Sequence, residues 1–376
     1  MDLDFSDEQD MLREMVRGVC ADYASLDVVR QFEDDAIGYP EAFWKQLGAL
    51  DLIGLTLPAA FGGSEMTLME AAIVYEELGR SLAPSPHFAS AVMSAGVLVA
   101  AGSDAQRQEW LPRIARGDAV VVPAWLEPRR GFGPEGVALA AGRAPDGSWV
   151  LDGVKWHVPF AAAATRLVVL ARTDDGVELF VVDPTAPGIT LAQQLTLASD
   201  TQYEVSFEGV AVTAADRVGG TDAAPGAGWD TWAEVMHDGM ILQAALAMGG
   251  AQHALAITVQ YAKDREQFDK PLGAFQALAH YLADAKTNVD GGTLLVYEAA
   301  WARAQGRPVD RLAPMAKLFA AQTYRDVTAM AQQIFGGVGF TLEYEIQLYF
   351  RRAKQLQISW YDSTRLEQLI AAAVLD

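Results

Sequence analysis

The sequence predicts an α+β, mostly helical chain in three consecutive parts. These are an N-terminal helical domain over residues 1–118, a compact antiparallel β-domain (barrel or sandwich) over 119–220, and a C-terminal four-helix bundle over 221–376. Three observations lead there. Apolar residues recur at helical spacing up to about residue 118. The stretch after it breaks into short β-branched or aromatic runs separated by Gly, Asp and Pro. Beyond that, four long Ala-rich amphipathic segments follow one another with short connections. A chain of 376 residues has length for two or three cooperating domains and a large apolar core.

In chain order, Asp7 to Ala24 places Met11, Leu12, Met15, Val16 and Val19 at helical spacing. Ser6 stands ahead of it as an N-cap candidate, and the acidic first turn suits a helix dipole. A second helix is expected after Pro40, and Pro58 to Gly63 (PAAFGG) reads as a turn with two breakers. Thr67 opens a helix through EAAIVYEELGRSLA that Pro84 and Pro86 close, and Pro112 is expected to interrupt QEWLPRIARG. WVLDGVKWHV, TRLVVLAR, VELFVVD and YEVSFEGVAV are the strand candidates, with APDG and TDDG as hairpin turns. Their close spacing leaves no room for crossover helices, which argues against a parallel sheet. After TDAAPGAG, segments 229–264, 273–305, 311–334 and 343–375 are the bundle helices, broken at GRPV and GGVG.

Composition narrows the function. Hydrophobic residues make up 51% and charged residues 20%, a globular mix. No apolar run is read as reaching the ~20 residues that span a bilayer. The start, MDLDFSDEQDML, is acidic and amphipathic, unlike a targeting peptide. A lone cysteine, Cys20, excludes an internal disulfide and suits a reducing cytosol, so a cytoplasmic protein is expected. The formal net charge of −21 argues against nucleic acid and anionic membrane as partners. A polyanionic ligand would need a local cluster of arginines, lysines or helix N-termini. No metal site is expected.

Two motifs carry chemistry. In DREQFDKPLGAFQALAHYLAD, residues 264–284, Arg265 ends a long helix, Phe268 and Lys270 lie in a tight connector, and Phe275 and Gln276 lead into the next helix. A planar guanidinium at such a junction can hold a phosphate, and Gln276 can offer an amide. Spacing alone favours the plainer alternative, a helix–helix corner with an aromatic plug. In QQIFGGVGFTLEYEIQLYFRRAKQ, residues 332–355, Gly336, Gly337 and Gly339 break two helices and let a ligand approach the backbone. No strand precedes it, so it is not a Rossmann fingerprint.

Taken together, in order and spacing, these motifs resemble the FAD-binding elements of the acyl-CoA dehydrogenase family. LPAAFGGSEMTLMEAAIVYEELGR, WLPRIARGDAVVVPAWLEP, LDGVKWHV and YEVSFEGVAV extend the likeness over nearly the whole chain. The resemblance implies a flavoprotein oxidoreductase of fatty acid or steroid degradation. It would hold FAD, act on an acyl-CoA and pass electrons to an electron-transfer flavoprotein. By position, it implies that Arg265, Gln267 and Phe268 contact the diphosphate of FAD in a neighbouring subunit, with Phe275 and Gln276 adjoining the flavin. Gln333, Gly336 and Gly337 approach the adenine and pyrophosphate end, and Trp156 lies beside the isoalloxazine. A shared cofactor implies at least a dimer, whether homodimer, homotetramer or heterotetramer with a paralogue.

The chain departs from the pattern at three places. Where the family has an EPGAGSD-type loop, this chain has LEPRRGFGPEG: Glu127 and Pro128 remain, while Arg129 and Arg130 enter, facing either ligand phosphates or solvent. Asp269 replaces the glycine of a QFGKP element. The family removes the α-proton with a glutamate of a YEGT element as the β-hydride moves to flavin N5. Here the stretch is Trp360-Tyr361-Asp362-Ser363-Thr364, and Asp362 is the equivalent only with a local two-residue insertion; without it Trp360 takes the place. The family's other base position falls on Gly239, one residue past Asp238, which makes Asp238 the second candidate and His237 the third. The stretch FGGVGFTLEYEIQLYFRRAK looks closest to the branch acting on steroid side chains and other bulky CoA esters, where some enzymes pair a base-carrying with a degenerate subunit. Two expectations follow. One is α,β-desaturation of a branched, cyclic, steroidal or polyketide-like acyl-CoA. The other is a non-catalytic partner subunit that completes a shared FAD site.

Overall fold

Helix starts follow the side chains that can satisfy first-turn N–H groups. In the computed structural model, which describes residues 4–375, Ser6 and Gln9 form a reciprocal capping box at the head of α1 (Asp7–Tyr23). After α2 (Leu26–Gln31) and α3 (Glu41–Ala49), Thr67 and Glu70 repeat the device for α4 (Leu68–Arg80). A π-helical stretch, Phe88–Ser94, runs into α5 (Ala95–Ala101), and α6 (Asp104–Ala115) follows. Contrary to expectation, α6 passes through Pro112. The carbonyl that loses its donor belongs to Gln108, an exposed residue, so water can replace the missing bond. Of the acidic start, Met1–Leu3 lie outside the described residues.

The strands are β1 (Val121–Ala124), β2 (Ala140–Arg143), β3 (Trp149–Pro159), β4 (Arg166–Thr173), β5 (Gly176–Val182), β6 (Ile189–Gln194) and β7 (Gln202–Val212). They form one sheet in the order β1-β4-β2-β3-β7-β6, with β5 on β4. The hairpins β2–β3 and β4–β5 close at APDG and TDDG as read. The purely antiparallel expectation is corrected: β4 pairs parallel with β1 along its first residues and with β2 at Arg172. The crossover between β1 and β4 is not a helix but the β2–β3 hairpin itself, which close strand spacing does not exclude.

The C-terminal part holds α7 (Gly228–Asp264), the two-stranded β8 (Glu266–Gln267) and β9 (Lys270–Pro271), α8 (Gln276–Ala304), α9 (Leu312–Phe335), α10 (Ile346–Ile358) and α11 (Ser363–Leu375). The fourth bundle helix expected over 343–375 is therefore two helices, broken at residues 359–362. α7 is long and apolar enough to span a membrane by length and composition, which corrects the reading of no such run. Of its most apolar window, 72% is buried, as in a core helix.

These elements pack into two compact units that do not follow chain order. One comprises Met1–Arg30, Thr67–Ala83 and Met240–Asp376, so α1 and α4 pack with the C-terminal helices. α4 and α7 approach so closely that a Cβ on Gly79 would overlap the carbonyl oxygen of Leu246, and one on Gly249 that of Glu76. Polar groups there are paired: Arg17 holds the buried Glu77 through two hydrogen bonds, and Tyr297 donates to Glu76. The other unit, Gln31–Met66 and Pro84–Gly239, contains the sheet, α3, α5, α6 and the first residues of α7.

Candidate active site

In the helical unit, β8 and β9 form a two-residue hairpin whose turn residues, Phe268 and Asp269, both have left-handed backbones (φ 55° and 61°). That is the geometry glycine serves in such turns, and aspartate tolerates it at modest cost. The hairpin projects its side chains outward. Phe268 is 87% exposed and touches Phe275 edge-on at 6.2 Å, while Lys270 lies over the Phe275 ring. The Gln267 amide donates to the Glu266 carbonyl; Arg265 and Gln276 are exposed, and the Arg265 guanidinium has no ion-pair partner among the described residues. An open, largely apolar groove of ≈ 540 Å³ lies alongside, lined by residues of α7, α8 and the hairpin that include Lys263, Pro271 and Ala279.

The second glycine motif shows the same outward character. Gly336, at φ 65°, ends α9; Gly337 has an ordinary φ, and a Cβ on either would meet nothing within 4 Å. The chain's own packing thus does not explain glycine at 337, whereas close approach by an external group does. Gln333 is exposed. Gln332, which sequence reasoning passed over, is 5% exposed, and neither its amide oxygen nor its nitrogen has a partner. Its oxygen lies under Gly339, where a Cβ would come within 2.6 Å. An orphaned buried amide beneath a bare glycine turn, with an unpaired arginine on the neighbouring hairpin, fits a phosphate-bearing nucleotide such as FAD.

The expected base lies in the same unit. Trp360 (φ 57°) and Tyr361 (φ 92°) are successive non-glycine residues in a left-handed backbone, and they divide α10 from α11. Lys317, in α9, holds the turn. Its side chain is 0% exposed, and Nζ donates to the carbonyls of Ser359 and Tyr361, the latter at 2.8 Å. Burial pushes this lysine down to about 7, opposed by the nearby Asp362 charge. Asp362 is half-buried and caps α11, its Oδ1 accepting the Arg365 N–H at 2.9 Å. No sequence pattern marks Lys317, because a lysine inside an apolar helix reads as a surface residue.

In the sheet unit, Trp156 is half-buried and its N–H donates to the Leu126 carbonyl. It sits in a β-bulge: between Lys155 and Val158 β3 carries one residue more than β7, and His157 takes φ 54°. Bulges of this kind re-aim a side chain beside a site. Next to it Lys155 is 0% exposed and donates to Glu127 Oε1 at 2.7 Å, and more weakly to the Trp125 carbonyl. Burial lowers Lys155 to about 8, opposed by Glu127. The same Glu127 oxygen accepts the N–H groups of Ala138 and Leu139, which ties off the loop between them.

The α7 candidates also lie here. Asp238 and His237 are half-buried, and His237 Nδ1 is 3.2 Å from Glu234. Gly239 is buried, and a Cβ there would come within 2.7 Å of Met93 Sδ and 3.4 Å of the Phe88 ring, so the position is closed to a longer side chain. Among the described residues no cluster of His, Cys, Asp and Glu could hold a metal.

Comparison with known proteins agrees over the whole chain. Residues 6–118, 124–210 and 226–373 match the N-terminal, middle and C-terminal domains of acyl-CoA dehydrogenases. Benzylmalonyl-CoA dehydrogenase of Aromatoleum aromaticum is 31% identical over 100% of both chains. Among solved structures, the ChsE4–ChsE5 complex of Mycobacterium tuberculosis superposes with a TM-score of 0.89 at 26% identity, covering 100% of this chain and 99% of the other. A variant of the Tcur3481–Tcur3483 steroid ACAD gives 0.86 at 30% identity, covering 98% and 99%.

Proposed function

Because the chain belongs to the acyl-CoA dehydrogenase family, FAD-dependent oxidoreductases acting on CH–CH bonds, we propose that it desaturates an atypical acyl-CoA thioester with Asp362 as its base. The turn from Ser359 to Asp362 carries this reading. Consecutive left-handed backbones at bulky residues are costly and persist only where the surroundings over-determine them. Here a buried lysine does so, and what the turn delivers is a carboxylate at the head of α11. A carboxylate can take the α-proton once substrate and flavin exclude water around it.

FAD, when bound, supplies the acceptor for the β-hydride. Arg265 would meet its diphosphate with a planar fork, Gln267, Phe268, Phe275 and Gln276 would line the approach, and Gly336 and Gly337 would admit the pyrophosphate. Gln333 would serve the adenine end, and Trp156, aimed by its bulge, would flank the ring system. Relatives named for benzylmalonyl-CoA and for steroids support a bulky, cyclic or branched acyl group. Electron-transfer flavoprotein is the acceptor in this reading, and the cytoplasm the compartment.

A second reading has its own support. One Asp362 oxygen is already engaged as a cap, and the place of Gly239 is closed. Asp238 is then the remaining carboxylate, or the chain is a non-catalytic subunit, a reading for which the similar ChsE4–ChsE5 complex offers a pairing of two different chains. The chain purified alone and mixed anaerobically with straight, branched, aryl and steroid side-chain CoA esters decides. Bleaching of bound flavin that Asp362→Asn abolishes and Asp238→Asn leaves intact supports Asp362. A yellow protein that no ester bleaches supports the partner subunit.

A further inference from the structure

Arg129 and Arg130 stand side by side in the loop between β1 and β2. Both are exposed, and neither guanidinium has an ion-pair partner among the described residues. The chain carries 49 acidic and 28 basic residues, and the exposed Arg116 does find a carboxylate, that of Asp118. Of the two loop carboxylates, Glu127 is taken by Lys155, and Glu135 folds back over Gly133 and forms no ion pair with either arginine.

The loop is held at several points. Glu127 Oε1 takes three donors, from Lys155 Nζ and the N–H groups of Ala138 and Leu139. Arg172 donates to the carbonyls of Pro134 and Val137, and Phe132 packs on the buried Trp125 at 5.9 Å. Arg129 itself is fixed in a left-handed backbone, φ 60°. The buried ion pair therefore sits under the loop as a frame, and the two unpaired cations are presented from a rigid support. Paired guanidinia on such a support match the charge and fork geometry of phosphate oxygens.

We propose that Arg129 and Arg130 form a receptor for phosphate groups of a nucleotide ligand, either CoA or FAD, with the Glu127–Lys155 pair as its frame. The inference rests on the CoA-ester reading above. Calorimetric titration of CoA and dephospho-CoA into the holoprotein, and of FAD into the apoprotein, tests it on the parent and on R129Q/R130Q. The double variant is expected to bind one ligand about tenfold more weakly, with a shallower salt dependence. A loss for CoA alone assigns the thioester's phosphates, and a loss for FAD alone assigns the flavin's diphosphate. Affinities for both within about twofold of the parent overturn the receptor while the proposed function stands. A parent that binds neither ligand sinks the function and the receptor with it.

Discussion

Replacing Lys317 with methionine keeps the length of the side chain and removes a buried ammonium. In the folded chain Lys317 is 0% exposed, and burial lowers its pKa from 10.5 to about 7. Once unfolded, the lysine keeps its proton to the ordinary value. Above about pH 7 the unfolded state therefore holds a proton that the folded state has released, and stability rises with pH. At about 1.4 kcal/mol per pH unit, moving from about pH 7 to about pH 9.5 favours the wild type by about 3 kcal/mol. For 376 residues unfolding with about 2.1 cal/mol/K each, that is about 4 °C. The assay is the melting temperature of both apoproteins at about pH 6.5 and about pH 9.5. Groups common to the two proteins largely cancel in the difference between them. That difference should move by about 4 °C toward the wild type at the higher pH. A difference constant within about 1 °C, or one moving toward the variant, refutes the picture of a buried lysine that gives up its proton beneath the turn.

Other perturbations separate packing from binding. Gly249→Ala drives a methyl into the Glu76 carbonyl and should cost about 3 kcal/mol or more, whereas Gly18→Ala, on an exposed face of α1 with nothing within 4 Å, should gain up to about 1 kcal/mol; thermal melts compare them. Gly337→Ala should leave the apoprotein as stable as before, since its φ is ordinary and its surroundings open, yet weaken FAD; equal FAD affinity would mean that nothing approaches there. Lys155→Met strands the buried Glu127 and should lower stability by about 3–5 kcal/mol, with Glu127→Leu added to it recovering part of the loss. An unchanged melting point for the single variant would rule out the frame.

What the sequence revealed depended on how local the determining contacts are. The helix starts at Ser6 and Thr67 were legible because a capping hydroxyl and the first turn it serves lie within three residues of each other. The hairpin turns at APDG and TDDG were legible for the same reason. The parallel pairing of β1 with β4 was not, since nothing local in VVPA names its partner. Nor was the α10–α11 break: Trp360 and Tyr361 are ordinary helix residues by propensity, and the turn is held through the Ser359 and Tyr361 carbonyls by Lys317, more than forty positions earlier in the chain. The candidate site divided likewise. Arg265 and the glycines of GGVG stood out by type, but Gln332, Lys317 and Lys155 show their significance only through burial.

The interleaving of the helical unit bears on how the chain is made. α1 and α4 emerge from the ribosome early, yet they belong to a unit that resumes only at Met240, within α7. At about 5–20 residues per second, α4 waits of the order of ten to thirty seconds for α7. During that time the glycine face that later receives α7 is uncovered. The sheet unit, complete by Gly239, can form while the helical unit cannot. Vectorial synthesis thus sets an assembly order, sheet first and helices last. In that order the two units mature at different times, and the early helices α1 and α4 stay without their final packing partners until the C-terminal helices emerge.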